Sequence, residues 1–213
     1  GVSTAICNQI KNYLINEDLE NAVNFPLQDS SDLKGISSFL NLADNLGIIH
    51  RNISEGPIRS VEINCYGTLD QIKPISLSFL RSLLQNRVPE RVNFINAETI
   101  AKELGIELSI NYSTSDSNYS NLISARVIAK NDIIFEGSVF NYNLPRLVNI
   151  MGYKMEVNLK GTLLFIQNDD VPGVVGKVGT ILGKNKINIV AYLLSQHSKE
   201  KLAFAVIRLD NPI

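Results

Sequence analysis

From Gly161 onward the apolar residues of this chain change period twice, and that change limits the folds open to it more than any other feature. Thr162 to Gln167 is a short apolar run of strand character, and Asn168-Asp169-Asp170-Val171-Pro172-Gly173 has the composition of a turn that places Pro172 at an early helical position. Val174, Val178, Ile181 and Leu182 then repeat at the spacing of one helical face, and the helix is expected to stop near Lys184 and Asn185. Two alternating stretches follow, Ile187 to Gln196 and Lys201 to Arg208, joined by the polar step His197 to Glu200.

Strand, helix, strand, strand is the first three quarters of a ferredoxin-like βαββαβ unit. Asn211 and Pro212 read as the N-cap and first residue of a second helix. That helix and a closing strand need roughly 20 further residues. The unit is therefore expected to be C-terminally incomplete, or to take its fourth strand from elsewhere. The chain also begins at Gly1 rather than Met, as an excised fragment would.

Upstream, the fold class reads as α+β. Ile6, Ile10, Tyr13 and Leu14 form one apolar stripe over residues 2–15, followed by an extended connector that ends at Phe25-Pro26 and a boundary near residue 27. Ser30, Ser31 and Asp32 offer N-cap oxygens to a helix through Leu33, Ile36, Leu40, Ala43 and Leu46, expected to stop near Gly47. Ile58 to Tyr66 alternates as a strand. Pro74 opens a helix through Leu77, Leu80, Leu84 and Val88, and a short helix runs from Asn96-Ala97-Glu98 to Gly105. Ile106 to Tyr112, Leu122 to Ala129 and Ile133 to Phe140 read as strands, with a polar loop at Ser113 to Asn121. The organisation is thus 1–27, helix and connector; 28–158, one mixed α/β domain; and 159–213, the βαββ unit.

Several function classes are excluded by composition or left without a motif. Twenty basic and 21 acidic residues give a net charge of -1, far from the basic excess that nucleic acid or an anionic membrane surface demands. No apolar run reaches the roughly 18 residues of a membrane span, and a cytoplasmic location is expected. Cys7 and Cys65 stand in no paired motif, so no metal site is read and both are taken as small apolar residues. Sequons at Asn52, Asn111 and Asn118 carry little without a secretion signal. His50 and His197 lie in no acid–base or metal pattern and read as surface or helix-end residues. The glycines at 173, 176 and 179 do not match the dinucleotide fingerprint, and their three-residue spacing favours close packing of another backbone on that helix face.

What chemistry remains lies at the turn before the last helix. Its first N–H groups lack intrahelical partners and favour a carboxylate, Asp170 can accept from an ammonium group, and Asn168 and Asn188 supply amide donors and acceptors. Those groups match an α-amino acid. Asp170 in that place also complements the helix dipole, worth a few tenths to about 1 kcal/mol, and the residues alone do not choose between the two.

At these residues the chain resembles a known family. Gln167 to Gly183, followed by Ile187-Asn188-Ile189, is similar to the ACT domain, a regulatory amino-acid-binding module. Gly1-Val2-Ser3 with Asn21 to Pro26 resembles the segment leaving the nucleotide-binding domain of the D-3-phosphoglycerate dehydrogenase family. Arg91 to Ala97 and Pro145 to Tyr153 resemble the intervening, allosteric substrate-binding domain of that family's long form.

The resemblance implies a C-terminal regulatory fragment. It would hold no catalytic residues and no cofactor of its own, NAD belonging to the full-length enzyme, and L-serine would be its feedback effector at Asn168, Asp170, Gly173 and Asn188. It also implies self-association through paired ACT domains, as homodimer or tetramer, so that Asn188 of one copy faces Asp170 of another. Lys73, Arg146 and Lys154 are candidates for a second, phosphate or carboxylate site, or are solvated basic residues. Lys186 stands where a helix-terminating Gly is usual, which assigns the cap to Asn185. Two other readings share parts of this pattern, a subunit of an iron–sulfur L-serine dehydratase and a free-standing amino-acid sensor.

Overall fold

The computed structural model describes residues 30–69, 71–114, 118–196 and 201–211, with side chains from Ile36 onward. The expectations for residues 1–27, Cys7, His197 and Pro212 lie outside these residues.

The first element, α1 (Ser30–Ile53), buries Leu42, Ala43, Leu46 and Ile49, one apolar stripe at helical spacing. It does not stop at Gly47. That glycine sits where α1 crosses α2 (Ile72–Leu84), and a Cβ there would lie 2.4 Å from the Phe79 carbonyl oxygen, so the residue serves the crossing rather than the helix end. Polar contacts tie the same crossing: Asp44 accepts from Arg81 Nη2 at 2.7 Å and from the Ser82 hydroxyl, and Ser78 Oγ donates to the Leu40 carbonyl at 3.0 Å. The end of α1 is closed by Arg87, whose guanidinium donates to the carbonyl of Arg51 in the last turn, an acceptor that helix geometry leaves open, and to those of Ser54 and Gly56 just beyond it.

Six strands form the larger sheet, β1 (Ser60–Gly67), β2 (Glu107–Ser113), β3 (Asn121–Ile128), β4 (Asp132–Phe140), β5 (Leu144–Ile150) and β6 (Tyr153–Asn158), in the order β2-β1-β3-β4-β5-β6. Among the described strands only β1 and β2 pair in parallel, because α2 and the short α3 (Ala97–Glu103) form the crossover between them. Period-two alternation builds the covered face: Val61, Ile63 and Cys65 are buried opposite Val127, Ala125 and Ile123.

Strands β5 and β6 were not anticipated. Their hairpins turn through left-handed residues that are not the usual Asn-Gly pair, Asn141 with Tyr142 and Met151 with Gly152, and a bulge between Leu147 and Asn149 breaks the alternation.

Leu159–Gly161 joins this sheet to a second, three-stranded one, β7 (Thr162–Asp169), β8 (Ile189–Gln196) and β9 (Leu202–Leu209), antiparallel throughout in the order β7-β9-β8, with α4 (Val174–Lys184) between β7 and β8. Its two faces do different work. Leu164, Ile166, Tyr192, Ile207 and Leu209 lie with Val178 and Leu182 beneath α4. Leu163, Phe165, Leu193, Phe204 and Val206 face the other way and join the core of the larger sheet. Aromatic rings seal that joint: Phe165 meets Phe135 and Phe204, and Tyr153 meets Phe204 at 5.3 Å between centroids.

His50 is a correction. Rather than a surface or helix-end residue it is fully buried, its ring set edge-on to Phe79 and Phe135, with Nε2 3.1 Å from the Ala125 carbonyl. It continues the stripe of Leu46 and Ile49, which its polarity hid. Cys65 is buried as expected, and burial pushes its thiol up to about 12, so it stays protonated at neutral pH.

Candidate functional site

The turn between β7 and α4 is built by a change of backbone sign. Asp170 N–H donates to the Lys201 carbonyl at 2.8 Å, holding the chain against β9 for one residue past the strand, and Val171 N–H donates to Asp169 O at 2.9 Å. Gly173 then adopts φ +95°, which non-glycine residues rarely adopt, and α4 starts from it. No side chain caps this helix and its first turn carries no acid, so the positive end of the helix dipole stays uncompensated within α4.

Alternation along β7 places Asn168 on the face covered by α4, its neighbour Gln167 on the face toward β6. Asn168 Nδ2 donates to the Asp169 carbonyl at 2.5 Å, while its Oδ1 is buried with no partner. A buried oxygen left open costs about 1–3 kcal/mol. Asp170 is exposed. Asn168, Asp170 and Gly173 thus lie at one end of the three-stranded sheet, where a single turn carries an amide, a carboxylate and a helix N-terminus.

Asn188 does not join them within one chain. Ile189 pairs with Leu209, which lies opposite Thr162, whereas Asn168 pairs with Ala203 at the other end of the ladder, roughly 20 Å away at about 3.3 Å per residue. The glycine stripe of α4 also lacks the packing expected of it. A Cβ at Gly176, Gly179 or Gly183 would meet nothing within 4 Å. At the end of α4 the cap is the expected one. Asn185 is the C-cap, but the left-handed position behind it is taken by Lys186 at φ +58°, with Ile187 N–H donating to Leu182 O and Lys186 N–H to Gly183 O, the two bonds of a Schellman motif.

The three basic candidates do not converge. Lys73, in the first turn of α2, pairs with the carboxylate of Glu98 on α3, beside the β2 edge. Lys154 and Arg146 lie at the opposite edge, on β6 and β5, where Lys154 stands opposite Asn149 and Arg146 opposite Asn158. Only Arg146 lines the cavity of about 230 Å³ between the two sheets, together with Glu156, Asn158, Leu193, Val206 and Arg208. Arg208 Nε is buried there with no partner. Sequence reasoning missed Arg208 because alternation marks it only as the polar residue of an apolar strand; its facing Arg146 depends on how the two sheets pack.

Among the described residues no group of three His, Cys, Asp or Glu side chains could hold a metal ion, and no helix is long and apolar enough to cross a membrane.

Comparison with known proteins adds the following. The family model of the D-3-phosphoglycerate dehydrogenase intervening domain matches residues 35–151. D-3-phosphoglycerate dehydrogenase of Bacillus subtilis (strain 168) is 28% identical over 212 residues, covering 98% of this chain and 40% of that protein. The proteins of the same name from Methanocaldococcus jannaschii and Archaeoglobus fulgidus are 30% and 27% identical, each across 99% of this chain and 40% and 41% of their own length. The chain thus spans about two fifths of the curated relatives it matches.

Proposed function

Because this chain belongs to the D-3-phosphoglycerate dehydrogenase intervening-domain family, we propose that it is the regulatory region of such a dehydrogenase. Residues 1–27 lead out of a nucleotide-binding domain, 28–158 form the intervening domain, and 159–213 belong to an ACT domain of ferredoxin-like type. The whole enzyme, cytoplasmic, uses NAD to oxidise 3-phosphoglycerate to 3-phosphohydroxypyruvate at the entry to serine synthesis. This region alone is inactive, and L-serine binding to it restrains the distant active site.

The observation that carries the reading is the uncapped N-terminus of α4 beside exposed Asp170 and the open Oδ1 of Asn168. The serine carboxylate binds the N–H groups of α4's first turn, the ammonium binds Asp170, and Asn168 Oδ1 accepts from ammonium or hydroxyl. Gly173 keeps the turn open. Asn188 enters from a second copy that pairs along β8, an outer strand carrying exposed Val190 and Leu194. The glycines of α4, open to solvent in one chain, allow that copy to approach closely. A second, anionic ligand, phosphate or carboxylate, binds in the cavity between the sheets on Arg146 and Arg208, without Lys73 or Lys154.

Calorimetric titration with L-serine, with glycine and D-serine as controls, tests the first site. Saturable, stereoselective heat that the Asp170→Ala variant loses supports the reading. Serine heat that is the same in that variant refutes this placement, and no heat with any amino acid refutes serine control by this region.

A further inference from the structure

We propose that the outer edge of β2 is a self-association surface, on which the β2 of a second copy docks antiparallel about a two-fold axis through Ile110. This surface is separate from the effector turn and from β8, and does not depend on serine binding.

The two outer strands of the six-stranded sheet are treated differently. Strand β6 carries Lys154 and Glu156, pairs through a bulge, and is overlain by β8. Charge, bulge and cover are the usual means of blunting an edge. Strand β2, Glu107-Leu108-Ser109-Ile110-Asn111-Tyr112-Ser113, is built differently: among the described residues no further strand pairs with its outer edge, it pairs with β1 in unbroken register over its whole length, it has no Pro or Lys, and its one charge stands at its first residue.

The direction of its hydrogen bonds is known. Glu107 N–H donates inward to the Arg59 carbonyl at 2.9 Å. By alternation Ser109, Asn111 and Ser113 also turn their peptide groups toward β1, and Leu108, Ile110 and Tyr112 turn theirs to the open edge.

Those three residues make the strand self-complementary. With the axis at Ile110, Ile110 faces its own copy, Leu108 faces Tyr112 and Ser109 faces Asn111. Each outward N–H then meets an outward C=O, about six backbone hydrogen bonds in all. The side chains of Leu108, Ile110 and Tyr112 fall on the helix-covered face, apolar against apolar. The single charge, Glu107, lands opposite Ser113, so no like charges meet. The flank agrees: Ile95 and Leu104 at the two ends of α3 are 59% and 50% exposed and Tyr112 is 41% exposed, large apolar surface beside an unpaired edge. The same operation sets α3 beside its symmetry mate and covers them.

The test uses the 213-residue chain with Cys7→Ser. Ile110→Cys places two thiols on the axis at about the 5.5 Å Cα separation of a hydrogen-bonded pair, within disulfide range. It should form an intermolecular disulfide on mild oxidation. Leu108→Cys alone should not, whereas Leu108→Cys mixed with Tyr112→Cys should. In sedimentation velocity Ile110→Lys, checked as folded by circular dichroism, should weaken this association at least about tenfold. Leu194→Lys on β8 should leave the cross-link at residue 110 intact. Failure of Ile110→Cys to cross-link, cross-linking of Leu108→Cys alone to the same extent, or association unchanged in folded Ile110→Lys each overturns the proposal.

Discussion

Gly47 and Gly183 offer one substitution with opposite expected signs. Both are helical, and Gly→Ala in a helix interior is worth up to about 1 kcal/mol in favour of alanine. At Gly47 a methyl group would stand 2.4 Å from the Phe79 carbonyl oxygen, 2.9 Å from Ser82 Cβ and 3.1 Å from Leu83 N. Two of these are backbone atoms of α2, so no side-chain rotation relieves the contact. To reach even a tight 3.2 Å the helices must part by about 0.8 Å, at a crossing whose other atoms are close-packed. Parting also stretches the Ser78-to-Leu40 and Arg81-to-Asp44 hydrogen bonds, each worth about 1 kcal/mol or somewhat more. Overpacking costs about 1–3 kcal/mol, and the lost bonds exceed the gain in helix propensity, so Gly47→Ala should destabilise by about 2 kcal/mol. At Gly183 a methyl group meets nothing within 4 Å, and Gly183→Ala should stabilise by about 0.5–1 kcal/mol. Urea denaturation reads both. With a slope of about 2 kcal/mol per molar, the midpoints should move in opposite directions, by about 1 M for Gly47→Ala. A Gly47→Ala midpoint equal to or above that of the parent would refute the reasoning from the crossing.

Two further outcomes follow from single side chains. Burial lowers His50 to about 4, partly offset by its bond to the Ala125 carbonyl, so between pH 6.5 and 4 the unfolded chain binds the proton that the folded one refuses. Stability should fall as pH drops through that window, by ~3 kcal/mol at its lower end; urea midpoints at pH 7.5 and 5 should converge for His50→Gln, and parallel behaviour of the two proteins would exclude the mechanism. Lys186→Gly removes a side chain from a left-handed residue and should raise thermal stability by about 0.5–1 kcal/mol, net of the extra entropy of glycine in the unfolded chain; a lower melting temperature would show that Lys186 makes compensating contacts.

What could be read from the sequence was whatever a single element decides for itself. Val61, Ile63 and Cys65 announce a half-covered strand, and Val174, Val178 and Leu182 announce α4, because each pattern reports the face of its own element. What escaped was decided between elements. Gly47 looks like a helix stop until α2 is laid across it. His50 looks like a surface residue until Phe79 and Phe135 close around it. Strands β5 and β6 stayed hidden because Asn141, Tyr142 and Met151 adopt left-handed turns that their side chains do not advertise, and because the bulge spoils the period. At the candidate site Asn168, Asp170 and Gly173 are neighbours in sequence, so one turn carries all three. Arg146 and Arg208 lie 62 positions apart and meet only through the packing of two sheets.

That packing bears on how a bound effector could act at a distance. Adjacent residues of β7 and β9 point to opposite faces, so Asn168 belongs to the turn under α4 while Gln167 lies 3.5 Å from the Tyr153 hydroxyl, and Leu209 lies under α4 while Arg208 opens into the cavity. A ligand on the α4 turn and an anion between Arg146 and Arg208 would load the two faces of the same short strands. Those strands have no slack to absorb the load separately: Phe165 and Phe204 are wedged against Phe135 and Tyr153 in one shared core. Under the proposed reading, each ligand therefore shifts the free energy of the joint on which the other rests, and linkage requires the effect to be equal in both directions. On that reading regulation needs no flexible relay. It needs a three-stranded sheet thin enough for one residue to belong to the effector turn and the next to the core.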